Sequence, residues 1–247
     1  MENLDDVKKL INYVEDIKEE KIVFYEYDII VFNNEWTGKK KKVEEVARTE
    51  TNKWLSLKRF NGNLALILVD TIFSLRANYE NMLKNILIPF YQKFSKLSLY
   101  EFSQLNNYKL LRSTSKREYL ESDHPFSYIN RWKLFKEFVK FFLEEDESIH
   151  EIHNWAVNLD IKEFLKSNPN KYNFRGFGIA GIQYLRMQLG VNTIKPEFRI
   201  KKILKDLEVN LKNEYEIIQL FKLTSNALNM DMMELGFIFW YSYPLLK

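Results

Sequence analysis

Cysteine is absent from the chain, which excludes disulfides, thiolate-held metals and iron–sulfur clusters and fits the reducing cytosol. Apolar runs of the roughly 18 to 20 residues that span a bilayer are also missing. The opening MENLDDVKKL carries acids where a secretory signal needs a basic and then an apolar run. A soluble, cytoplasmic protein with no membrane contact is predicted. Histidine numbers three. His150 and His153 lack a third ligand and read as surface residues, and His124 gives no signal, so neither metal nor cofactor is expected. What is abundant is apolar: 46% of 247 residues are hydrophobic, enough for a sizeable core in one domain or two closely packed ones.

Apolar spacing in the chain predicts a mainly α fold behind a small α/β beginning. Leu4, Val7, Leu10, Ile11, Val14 and Ile17 recur at helical intervals over residues 3–19. KIVFYEYDIIVF, residues 21–32, is the best strand candidate because β-branched and aromatic residues fill it. The tetralysine Lys39 to Lys42 reads as a solvated run beside a turn, with phosphate contact as the lesser reading. Asn61-Gly62 marks a break, dividing an N-terminal extension (1–61) from a helical domain (62–247). Beyond it, LALILVDTIFSL predicts a central helix, apolar over most of its circumference. Further helices are expected at 79–94, 98–104, 108–120, 126–146, 149–157, 160–167, 197–208, 214–229 and 231–240. Phe126, Ile129, Trp132, Phe135, Val139 and Phe142 make the longest stripe, read as core. Ser98 with Glu101 and Ser148 with Glu151 have capping-box spacing. No internal repeat is visible.

Glycine, scarce at seven residues, is concentrated: Gly176, Gly178, Gly181 and Gly190 lie in one stretch. The backbone there needs shapes or approaches that side chains block. Lys171 to Lys212 also contains nine Lys or Arg against three acids, an excess of +6 in a chain of net charge +3. A helix ending near Asn173, a turn Gly176-Phe177-Gly178 and a second helix from Ile179 would make a hairpin. The free amides at the start of its second helix suit a phosphate.

These residues resemble the helix-hairpin-helix DNA glycosylases, the superfamily containing endonuclease III. In that family a G-x-G hairpin is followed by a helix, a short loop and an acid that opens the next helix. Here the helix after Gly178 runs to Leu189-Gly190, and the loop Val191 to Pro196 delivers Glu197 ahead of Phe198-Arg199-Ile200-Lys201-Lys202. Val69 to Tyr79 is similar to the family's early helix and DNA wedge, with Arg76 at the wedge position. The resemblance spans about residues 62–243, and its specific part is 174–204.

The resemblance implies a multi-helix glycosylase-like fold with the hairpin at 174–190. It also implies a monomer acting on double-stranded DNA at the nucleoid, flipping a base and excising it in DNA repair or in attack on modified foreign DNA. Gly176, Phe177, Gly178, Ile179, Ala180, Gly181, Arg199, Lys201 and Lys202 become DNA contacts, with Lys205 beside them. For the basic residues a solvated helix face is the alternative. Arg76, Asn78 and Tyr79 become wedge or pocket residues, and Trp240 a stacking partner for the base, against core packing as the other use. Two departures matter. The family's acid is ordinarily aspartate, so Glu197 either works with a re-aimed carboxylate, marks a member that only binds, or simply suits a helix start beside Pro196. The amine nucleophile of bifunctional members falls at Ala180, so only monofunctional hydrolysis is supported.

Overall fold

The structure, a computed structural model, describes residues 2–24, 38–75, 77, 79–106, 128–145, 148–166, 174 and 176–246. In chain order it contains α1 (Glu2–Ile17), β1 (Lys21–Phe24), β2 (Lys39–Lys42), α2 (Val43–Leu55), a 3-10 turn (Arg59–Gly62) and α3 (Leu64–Phe73). A continuous helical run follows: α4 (Tyr79–Met82), a π-helical turn (Leu83–Leu87) and α5 (Ile88–Phe94). Pro89 in this run cannot donate to the preceding turn, and the widened turn before it accommodates the ring. Then come α6 (Leu99–Gln104), α7 (Tyr128–Glu145), α8 (Ile149–Asn158), α9 (Ile161–Lys166), α10 (Ile179–Gln188), α11 (Phe198–Asp206), α12 (Glu214–Leu228), α13 (Met232–Ser242) and a 3-10 turn (Tyr243–Leu246). The protein is mainly helical, with one small sheet among the described residues. The expected helix at 108–120, the helix end near Asn173 and most of the strand candidate beyond Phe24 lie outside the described residues.

Two compact units are present, Leu57–Leu189 and Met1–Ser56 with Gly190–Lys247. Most residues on the N-terminal side of the Asn61-Gly62 break therefore share their unit with residues from Gly190 onward.

In the Leu57–Leu189 unit, α3 is buried along its whole length. The Asn63 side chain caps it, accepting from the Leu66 amide at 3.0 Å. Along α7, Trp132, Phe135, Val139 and Phe142 of the predicted stripe are fully buried and so is Phe138, so the stripe is core from Trp132 onward, while Phe126 lies outside the described residues. Trp132 meets Phe73 at 4.6 Å between ring centroids and Phe135 at 5.3 Å, and Phe90 stacks on Phe102 at 5.2 Å. Each such ring contributes about 1.5–3 kcal/mol through burial. Arg131 closes the C-terminal end of α3, donating from its two terminal nitrogens to the carbonyls of Phe73 (2.5 Å) and Leu75 (2.7 Å). The Ser98–Glu101 capping box forms in full, whereas the Ser148 side chain does not bond to the start of α8.

In the other unit, Val7, Leu10 and Val14 of α1 are buried, and the Tyr13 hydroxyl lies 2.6 Å from that of Ser242. Unlike the turn-side run that was expected, the tetralysine is strand β2, antiparallel to β1 with Lys21 opposite Lys42 and Phe24 opposite Lys39. Phe24 packs edge-on to Tyr241 at 5.7 Å, and Lys41 lies 5.5 Å over the Phe24 ring. Lys42 pairs with Glu19 at 2.5 Å. Lysines along an exposed strand discourage pairing with another chain. Helix α2, which the sequence reading did not anticipate, buries Val43, Val46, Ala47, Thr51 and Trp54 on one face. Trp54 meets Phe237 of α13 at 5.0 Å.

Candidate nucleic-acid interface and carboxylate site

At the hairpin turn, Gly176 has φ +87°, the left-handed region that favours glycine. The Phe177 amide donates to the Phe174 carbonyl at 3.0 Å, closing the turn. Phe177 is buried against Phe138, 4.8 Å between ring centroids. Gly181 makes room for it, since a Cβ there would lie 3.0 Å from the Phe177 ring. Phe177 and Gly181 thus anchor the turn through the core, while Gly176 and Gly178 are exposed. Gly178 is exposed at the start of α10, with open space where a Cβ would be and no side chain capping the helix. Ile179 and Ala180 follow, half-buried.

Behind this turn α10 is held by polar groups that the sequence reading did not single out. Asp70 of α3 is fully buried, and its Oδ2 accepts from Arg59 (2.5 Å), Gln188 Nε2 (2.6 Å) and the Tyr184 hydroxyl (3.3 Å). Arg59 also donates to Gln188 Oε1 at 2.5 Å. The hairpin helix is therefore tied to α3 and the 3-10 turn by a buried, charge-assisted network. His153, expected at the surface, is half-buried, with Nδ1 2.6 Å from the Leu189 carbonyl. Among the described residues no cluster of His, Asp and Glu could hold a metal ion.

Glu197 stands at the N-cap of α11 in extended backbone, and its side chain makes no bond to the first amides of the helix. Instead Oε2 pairs with Lys195 Nζ at 3.2 Å, and Oε1 is buried with no hydrogen-bond partner. The helix-cap alternative thus lacks its hydrogen bond. The loop carrying Glu197 is well fixed, with Val191, Thr193, Ile194 and Pro196 buried. Asn192 grips the start of α13, accepting from the Met233 amide (2.9 Å) and donating to Asp231 (2.7 Å). Ile194 packs onto Gly236, where a Cβ would come within 2.9 Å of its Cγ2.

Arg199 lies 3.8 Å over the Trp240 ring and 5.6 Å over Tyr243, and donates to the Trp240 carbonyl at 3.3 Å. Burial holds its guanidinium below the usual value, an effect the nearby Glu197 charge opposes. Arg199 thus covers one face of the half-buried Trp240. Lys201 pairs with Glu214 at 2.5 Å, and Lys202 pairs with Asp206. Gly176 to Gly181 belong to the Leu57–Leu189 unit, while Glu197, Arg199, Lys201, Lys202 and Trp240 belong to the other. Tyr79 opens α4, and Arg76 and Asn78 lie outside the described residues. Among the described residues no helix is long and apolar enough to cross a membrane.

The chain matches no protein-family model, no curated protein and no solved structure.

Proposed function

We propose that the protein is a monofunctional DNA glycosylase of the helix-hairpin-helix kind, hydrolysing the N-glycosidic bond of a damaged, mispaired or modified base flipped out of duplex DNA. The observation that carries this reading is the Gly176-Phe177-Gly178 turn, whose phenylalanine is sunk in the core while its exposed Gly178 opens an uncapped ten-residue helix. Uncapped amides at a positive helix end attract phosphate, and the missing Cβ lets the backbone come close.

In this reading the hairpin holds the duplex and Glu197 carries the chemistry. Departure of the base leaves positive charge on the sugar, an oxocarbenium-like state that a carboxylate stabilises while it orients the attacking water. A buried carboxylate oxygen with no partner is suited to that charge. Ala180 offers no amine at the position bifunctional members use, so the product is an abasic site in an intact strand. The protein works as a monomer at the nucleoid, without a cofactor.

The second reading is a catalytically silent DNA-binding protein, favoured by the Lys195 ammonium 3.2 Å from the Glu197 carboxylate, which occupies one of its oxygens. The test is incubation with a panel of damaged and modified duplexes, scored for base release before and after alkali. Release that disappears in Glu197→Gln supports the glycosylase. Salt-sensitive binding without release supports the silent binder, and nicking without alkali contradicts the hydrolase assignment.

A further inference from the structure

Phe198 is the most exposed large hydrophobic residue among those described, at 70% relative accessibility. It begins α11 directly after Glu197, although α11 has an apolar side of its own formed by the buried Ile200, Ile203 and Leu204. Phe198 faces the other way. With Lys201, Lys202 and Lys205 it occupies positions i, i+3, i+4 and i+7, one stripe along a helix, and all four side chains are exposed. The stripe runs about 10 Å along the helix axis. Its far end meets a cleft of about 320 Å³ lined by Lys201, Lys205, Lys212, Asn210, Asn213 and Glu214, among others.

An aromatic ring left in water forgoes about 1.5–3 kcal/mol of burial, so its position at the head of a lysine row calls for an occupant. Tyr243 meets the Phe198 ring near-perpendicularly, 6.2 Å between centroids. Acids also lie along the stripe, since Glu214 pairs with Lys201 and Asp206 with Lys202. Both pairs are exposed, and such pairs contribute so little that phosphates readily replace them.

We infer that Phe198 stacks on an unpaired nucleobase while Lys202, Lys205 and Lys212 contact the phosphates of the same strand. The inference rests on the nucleic-acid reading above but not on Glu197 being catalytic. An aromatic platform leading a cationic track is the arrangement that grips unpaired bases without reading their sequence. Phe198 is then a positioning residue, holding a base that has left the stack beside the carboxylate that precedes it in the chain.

The test uses the full chain and two DNA probes, a fully paired duplex and the same duplex with one 2-aminopurine opposite an abasic site. Wild type is expected to prefer the second probe and to quench its fluorescence. Phe198→Ala should lose that preference, binding the unpaired probe about fivefold to a hundredfold more weakly, the range for one lost base–aromatic stack. Its affinity for the paired duplex and its thermal midpoint should be unchanged, and Phe198→Trp should restore preference and quenching. Lys205→Ala should weaken both probes alike and reduce the salt slope by about one. A Phe198→Ala variant that keeps the wild-type preference overturns the inference and leaves the nucleic-acid reading standing. Wild type with no salt-sensitive binding to either probe overturns both. Loss of stacking without any base release upholds the inference and removes only the glycosylase assignment.

Discussion

Replacing Gly236 by alanine sets two effects of opposite sign against each other. Alanine in a helix interior is favoured over glycine by about 1 kcal/mol, and Gly236 lies within α13, so propensity alone predicts a more stable protein. The new methyl, however, would sit 2.9 Å from Ile194 Cγ2 and 3.5 Å from its Cβ. Ile194 has no room to yield: it is fully buried, and its loop is tied to α13 through Asn192. Overpacking of this kind costs about 1–3 kcal/mol, so the net expectation is a loss of up to about 2 kcal/mol. Ile194→Leu removes the offending branch at nearly constant volume, for less than about 1.5 kcal/mol. In that background Gly236→Ala should be neutral or stabilising by up to about 1 kcal/mol. Urea unfolding followed by far-UV circular dichroism, with equal m values, gives the four free energies of the cycle. Stabilisation by Gly236→Ala with isoleucine in place, or a coupling energy of zero, would refute the reasoning.

Arg59→Met should cost about 3–5 kcal/mol by leaving the Asp70 carboxylate buried without its cation, whereas Arg59→Met combined with Asp70→Leu should recover most of that loss; thermal denaturation measures both. Glu234 is buried, which raises its pKa, while Arg48, 3.3 Å away, opposes the shift. A raised folded-state pKa means stability that is fully present below the ordinary carboxylate value and lost as the pH rises through the folded one. Glu234→Gln should therefore melt higher than wild type at neutral pH, with the two midpoints converging as the solution is acidified below the carboxylate range. Gly178→Ala has open space around it and an ordinary φ of −89°, so the melting midpoint should hardly move. Duplex affinity, read by fluorescence anisotropy, should nonetheless fall severalfold, because the methyl stands where a phosphate would approach.

Periodicity made much of the helical framework legible in advance. The α7 stripe was plain because large apolar side chains recur every three or four residues. Helix α2 was not, since Val43, Val46, Ala47 and Trp54 are diluted by nine polar or apolar neighbours in a thirteen-residue helix and their shared face shows only against α13. Four lysines in a row carry no strand signal of their own, and β2 exists because β1 pairs with it, a tertiary override of propensity. At the carboxylate, spacing located the helix start correctly at Glu197. The ion pair was also within reach of sequence reasoning: residues i and i+2 of an extended segment point to the same side, which brings Lys195 to Glu197 across Pro196. Gly236 carried no comparable signal, because a close approach by Ile194, 42 positions earlier, leaves no mark on the helix that accommodates it.

The bond between Tyr13 and Ser242 joins residues 229 positions apart, and this sets an order of events on the ribosome. Helix α1 is made well before α12 and α13, the helices it packs against. At about 5–20 residues per second the wait is on the order of ten to fifty seconds. The Leu57–Leu189 unit is contiguous in sequence and can condense during that interval, while Leu10 and Val14 stay uncovered. Nascent chains halted before α12 should therefore be the species that chaperones hold and proteases cut, with α1 as the vulnerable segment.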